Sequence, residues 1–257
     1  MKKNNKMFSI GEIAKSIGIT RKIILNYESK GLIKPDHKDG YTGNRYYTID
    51  TFTQIRTIRI FQNLGLSLDE IRDYFNDETD LQPLIKRLEV MRDELNLNIE
   101  KLYERTNKNQ NKISIITVEP QTVYSRTCIS VSVSEKSLML RDTALEAMRI
   151  YGTDTTKRMY FTESSFTEPY NITFSAAIPN GSKGENVYNI ARFRAISTYH
   201  HGAYEELPKI RDMLVKYAND NNIVIRDKCR HIYLEGPPQH KDPHKFITQV
   251  IIPIKDN

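Results

Sequence analysis

The sequence predicts an all-α helix-turn-helix head with a hairpin wing, one long helix, and an α+β domain made of duplicated antiparallel sheet. Three observations predict it. Two short amphipathic helical patterns with a glycine between them open the chain. Leucines then recur through a long stretch free of glycine. Beyond residue 112 the pattern changes to strand-like runs interrupted by two helical ones. The corresponding boundaries are 1–77 for the head, 78–112 for the long helix and 113–257 for the last domain.

Ser9-Ile10-Gly11-Glu12 has the spacing of a capping box, in which the serine accepts an amide and the glutamate reaches back. Ile10, Ile13, Ala14 and Ile17 follow on one helical face, and Gly18 ends the run. Thr20 is the next N-cap, opening a helix over 21–30 that begins with Arg21 and Lys22 and turns Ile23, Ile24 and Tyr27 inward or half inward. The glycines of Asp39-Gly40-Tyr41-Thr42-Gly43-Asn44-Arg45-Tyr46-Tyr47 suit a hairpin wing with Lys38 at its start and Arg45 at its tip. Helices are expected over 51–64 and, from the second capping box Ser67-Leu68-Asp69-Glu70, onward to Phe75.

Charge is uneven. The net charge is +6, yet residues 1–59 hold twelve Lys/Arg against five Asp/Glu, an asymmetry that suits a polyanion partner. With 39% hydrophobic and 27% charged residues the chain reads as globular. Its apolar runs are too short for a bilayer helix, and the basic start 1–6 lacks a secretory signal's apolar stretch, so a cytoplasmic location without membrane association is the expectation. Cys128 and Cys229 lie outside any CxxC or metal-ligand spacing and read as ordinary thiols. The histidines at 200–201, 240 and 244 read as a strand end and a loop, so neither metal nor cofactor is expected.

The strings FSIGEIAKSIGITRKIILNYESKGLIKP, NRYYTID and FQNLGLSLDEI closely resemble the MerR family of regulators over residues 7–77. That resemblance implies a winged helix-turn-helix bound to a pseudo-palindromic double-stranded promoter element, acting on RNA polymerase through the DNA. It puts Thr20, Arg21 and Lys22 on the recognition helix, Tyr27 at a step touching the backbone, and Arg45 and Tyr46 among the wing contacts, beside Lys38.

In the stretch 80–112, Leu81, Leu84, Leu88, Met91, Leu95, Ile99 and Leu102 recur at alternating steps of three and four. Such a seam suits an antiparallel pairing with a second copy, the homodimer that the MerR resemblance also implies. Metal-sensing members place cysteines near the end of this helix; none stands there in this sequence.

For the last domain strands are expected over 113–119, 122–133, 171–178, 188–200, 231–235 and 246–254, with helices over 136–151 and 207–219. STYHHGAYEELPKIRDML, HIYLEGPP and TQVIIPI resemble the GyrI-like effector-binding domain, over residues 113–255. The resemblance implies a cleft of aromatic rings around a buried carboxylate that accepts bulky hydrophobic compounds, often cationic ones. Glu235 is the expected acidic anchor; Tyr124, Tyr160, Phe174, Tyr199, Tyr204 and Tyr233 are the expected walls. Gln249 stands where relatives often carry glutamate, which weighs against cationic ligands. The alternative reading is a hydrolase, or a ligand-sequestering protein, with a DNA-binding head; Glu235 with Tyr204 or Tyr233 would then activate a water.

Overall fold

The computed structural model describes residues 7–77, 80–106 and 112–255. It divides into two compact units, 1–89 and 90–257.

The first unit opens with strand β1 (Phe8–Ser9) and helix α1 (Ile10–Ile17). The predicted capping box is formed: the Ser9 amide donates to Glu12 Oε2 at 2.7 Å, and the Glu12 amide donates to Ser9 Oγ at 3.3 Å. Gly18 takes φ +73°, a left-handed turn that costs a residue without Cβ little. Thr20 caps α2 (Arg21–Ser29). Strands β2 (His37–Lys38) and β3 (Arg45–Tyr47) form the wing, and β1 adds an edge to make a three-stranded sheet β1-β3-β2. Helices α3 (Ile49–Asn63) and α4 (Leu68–Phe75) follow, the latter with its own capping box on Ser67 and Glu70. Ile13, Ile24, Tyr27, Tyr47, Ile55, Ile58 and Ile71 make the core.

Helix α5 (Gln82–Thr106) starts two residues after Asp80, whose carboxylate accepts from the Gln82 amide. The expectation that it reaches residue 112 falls partly on 107–111, outside the described residues, as does the basic start 1–6; Lys112 itself is not helical.

The second unit carries β4 (Ser114–Val118), β5 (Gln121–Ile129), α6 (Val133–Tyr151), β6 (Tyr160–Ser164), β7 (Asn171–Ile178), β8 (Val187–Ile190), β9 (Phe193–His201), α7 (Leu207–Asp220), β10 (Cys229–Glu235) and β11 (Ile247–Pro253). All pairings are antiparallel, in the order β4-β9-β11-β10-β6-β7-β5-β8. The duplication is visible in that order. The run β5-α6-β6-β7 gives strands β5-β7-β6, the run β9-α7-β10-β11 gives β9-β11-β10, and the two meet at the β6–β10 seam. Helix α7 packs on Ile196, Val250 and Ile252, and α6 on Tyr124, Ala176 and Ile178. Phe161, Ile232, Ile251, Val123 and Ala195 form a separate core.

Three expectations are corrected. Strand β6 is an addition, and the run expected over 188–200 is two strands, β8 and β9, separated at 191–192. α6 begins at Val133 instead of 136, because Ser132 and Glu135 form a third capping box.

Ile71, fully buried in the head core, should cost about 2–5 kcal/mol of stability on truncation to alanine. Ser67→Ala, which removes only the α4 cap, should cost about 1 kcal/mol. Urea titrations of the two variants, followed by circular dichroism, check the ranking.

Candidate functional site

Two surfaces hold the predicted residues, one in each unit. In the head, Arg21 and Lys22 are exposed on the first turn of α2. Arg21 lies across Gly11, where a Cβ would stand 2.8 Å from Arg21 Nη2, the flexible end of an exposed side chain. Thr20 serves as the cap, its hydroxyl oxygen accepting from the Ile23 amide at 3.4 Å.

Tyr27 is corrected to a core residue. It is 1% exposed and its hydroxyl donates to Gln62 Oε1 at 2.6 Å, so it presents no surface to a phosphate. Arg45 is also corrected. It lies in β3 opposite Lys38, at the turn end of the wing ladder, with Nε donating to Glu28 Oε2 at 2.9 Å. Glu28 takes the Tyr47 hydroxyl as well, and burial followed by that carboxylate raises the Tyr47 pKa. The tip is instead Tyr41, fully exposed on a turn in which Asp39 Oδ1 accepts from the Tyr41 and Thr42 amides. Lys38 is exposed, and Tyr46 is half-buried beside the His37 ring.

In the second unit a cleft of about 1340 Å³ crosses the β6–β10 seam between α6 and α7. Tyr160, Thr162, His231 and Tyr233 line its strands, and Tyr204, Pro208 and Gly236 its α7 end. Val133, Lys136, Leu140, Ala144 and Met148 come from α6, and Glu94, Leu97, Asn98 and Lys101 from α5. Tyr204 meets Tyr233 edge-on at 5.2 Å and Phe246 at 5.0 Å. Its hydroxyl lies where a side chain at Gly236 would be, so that approach requires glycine. Tyr233 shares a hydrogen bond with Thr162 at 3.1 Å, and burial pushes its pKa up to about 12. Burial also raises Tyr204. Both rings therefore keep their phenolic protons.

Of the expected ligand residues, Glu235, Tyr160, Tyr204 and Tyr233 line this cleft. Tyr124, Phe174 and Tyr199 are corrected: they are not among its lining residues. Tyr124 is packed against Tyr151 beneath α6, and Phe174 is sealed within the sheet opposite Thr162. Tyr199 stands opposite Gln249 in the ladder. Gln249 is buried and donates to Ser197 Oγ at 3.0 Å. It too lies outside the cleft lining.

Glu235 is buried, but its charge is already answered. Arg105 of α5 bonds to Oε2, Lys101 Nζ lies 3.6 Å from Oε1, and His240 Nε2 is 2.7 Å from Oε2. Desolvation and then Arg105 keep the His240 pKa below its ordinary value, so it joins as a neutral ring near pH 7. A carboxylate out of water requires such partners, and sequence spacing offered no sign of Arg105, which lies 130 residues away.

Among the described residues no group of three or more His, Cys, Asp and Glu could hold a metal ion, and no helix is long and apolar enough to cross a membrane. Cys229 is a buried thiol whose pKa burial raises to about 12.

A family profile described as MerR HTH family regulatory protein matches residues 8–78. The head belongs to the MerR family. The mercuric resistance operon regulatory protein of Serratia marcescens is 37% identical over 73 residues, 28% of this chain and 50% of its own length. The multidrug-efflux transporter 2 regulator of Bacillus subtilis (strain 168) is 25% identical over 138 residues, 54% of this chain and 50% of its own length. The chain spans from 34% to 50% of such curated relatives. Beyond the MerR head, the EcmrR–DNA complex in EcmrR-RPo covers 97% of this chain and 100% of its own, with a TM-score of 0.51 and 20% identity. That likeness speaks for the fold: a helical head, a long helix and a curled antiparallel sheet.

His231, in the cleft floor, has its pKa lowered from 6.5 to about 4 by burial and then by Lys136 and Arg211. Folding therefore favours its neutral form. This contribution is complete above pH 6.5 and is lost as pH falls toward about 4. Thermal melts between pH 7 and 4 should show His231→Gln losing less stability on acidification than the unmodified chain.

Proposed function

We propose that this protein is an effector-responsive, DNA-binding transcription regulator that works as a homodimer. The observation that carries the reading is the head of a MerR-type fold with Arg21 and Lys22 exposed at the start of α2, together with Lys38 and Tyr41 on the wing. A helix entering the major groove meets base edges and phosphates with its first turn, and a wing reaches the adjacent backbone. Leu95, Ile99, Leu102 and Tyr103 of α5 support pairing with a second copy, because they are exposed along one side of that helix. Of the expected seam, Leu84 packs with the head core instead, and Leu81, Leu88 and Met91 are exposed or half-buried.

The cleft takes a bulky, largely apolar effector. Its volume and its mixture of rings, methionine and aliphatic groups favour such a molecule. An effector changes promoter occupancy or geometry only by binding one conformation more tightly than another. Helix α5 is the means, since it lines the cleft through Leu97 and Lys101 and continues toward the head. In this reading the regulator activates by distorting promoter DNA so that RNA polymerase engages, in the cytoplasm.

Hydrolysis is the lesser reading. Glu235 would first have to leave Arg105 and Lys101 to serve as a base.

Selection from a random duplex library with the full chain tests the function. Enrichment of an inverted repeat is expected; enrichment of nothing would sink the proposal. On the selected site, Arg21→Ala should weaken binding by about 1–3 kcal/mol, and Lys22→Ala should reduce the salt slope by about one. Ile99→Asp with Leu102→Glu should convert a dimer to monomer in light scattering, with helicity retained.

A further inference from the structure

Three Glu line the cleft against five Lys and Arg, and the balance of partners is more uneven than the count. Glu235 is held by Arg105 and Lys101, Glu94 accepts from the Thr155 hydroxyl, and Glu205 lies exposed toward solvent. Among the described residues no buried carboxylate of the cleft lining is left unpaired to meet a cation. The cations are the reverse. Arg158 is paired with Glu100, but Lys136 and Arg141 have no side-chain ion-pair or hydrogen-bond partner among the described residues, and Lys136 is half-buried in the first turn of α6 beside His231. Partial burial without a counterion is unfavourable for an ammonium, and it disfavours the charged form of Lys136. An anion in the cleft would relieve it.

The rest of the cleft fits an apolar body. Leu138, Leu145, Met148 and Val131 are large, exposed apolar residues at its α6 side, and Tyr170 continues that rim. Exposed apolar surface contiguous with a cleft marks a place where a ligand is covered.

We propose that the cleft takes a free anionic amphiphile, a carboxylate or sulfonate head carried on an apolar chain or ring system, with Lys136 receiving the head and the α6 rim covering the tail. This rests on the reading of the cleft as an effector site and inverts the ligand charge implied by the GyrI-like resemblance. A cation would meet Lys136 and Arg141 as like charges, and could reach Glu235 only by displacing Arg105 and Lys101, each of which would then need a new partner.

Isothermal titration calorimetry of the full chain with dodecanoate and dodecyltrimethylammonium, both monomeric below their micelle concentrations, tests it, because the tail is common and only the head charge differs. Dodecanoate should bind about tenfold more tightly or better. Lys136→Gln should erase most of that preference and Lys136→Arg should keep it, while circular dichroism stays unchanged. Tighter binding of the ammonium, or a preference unaltered in Lys136→Gln, overturns the assignment alone. Binding of neither overturns the effector reading of the cleft as well. Binding to phosphatidylglycerol vesicles without binding to monomeric dodecanoate overturns the assignment in favour of a membrane surface.

Discussion

Much of the second unit follows from the need of one buried carboxylate for positive charge. Glu235 ends β10 where the register with β11 shifts, between Tyr233 and Glu235, and it is almost wholly removed from water. An ionised group there is tolerable only with close cations and hydrogen bonds. They come from α5, through Arg105 and Lys101, and from His240 in the following loop. Arg158 to Glu100 and Thr155 to Glu94 tie the same helix to the loop before β6. With 94, 97, 98, 101 and 105 committed to the cleft side, Leu95, Ile99, Leu102 and Tyr103 must turn outward. The rotation of the helix, and hence which of its apolar side chains are exposed, is set by charge in the cleft as much as by its own leucines.

The same arrangement separates recognition from packing in the sheet. A residue on β6 or β10 at the central seam lies between α6 and α7, and so Tyr160 and Tyr233 meet the cleft. Tyr124 and Phe174, on strands further toward one side, lie at positions where α6 and the sheet enclose them. Composition cannot distinguish these cases, because aromatic residues in strands serve cores and ligand walls alike. Strand order decides it, and strand order depends on pairings such as β10 with β6, about seventy residues apart in sequence.

Local chemistry was the readable part. The boxes at Ser9–Glu12 and Ser67–Glu70 are formed as their spacing implies, Thr20 caps α2, and the strands and helices of the last domain fall close to the expected bounds. The box at Ser132–Glu135 has the same signature, but the β-branched run Thr127 to Val133 that leads into it has a strand's composition, which masks the start of α6. Strand β6 was hidden for another reason. Its sequence YFTES is short and carries a buried glutamate, Glu163, which resembles a solvated position until Arg230 is seen beside it, 3.0 Å away and stacked on Phe161. A buried ion pair reads as surface when only one partner is in view.

The YE step of α2 shows how a motif can be read on the wrong residue. Tyr27 faces inward and bonds Gln62, whereas Glu28 receives both Arg45 and Tyr47 from β3. That carboxylate joins α2 and the wing by two charge-assisted bonds, which are stronger and more directional than neutral ones. Arg45 is thus tied to α2 through Glu28. Its ion pair leaves Arg21 and Lys22 on α2, and Lys38 with the exposed Tyr41 on the wing, as the head's exposed groups there. The spacing between those two groups is held by Glu28, so the geometry with which the head could meet a duplex depends on a residue that touches no phosphate itself.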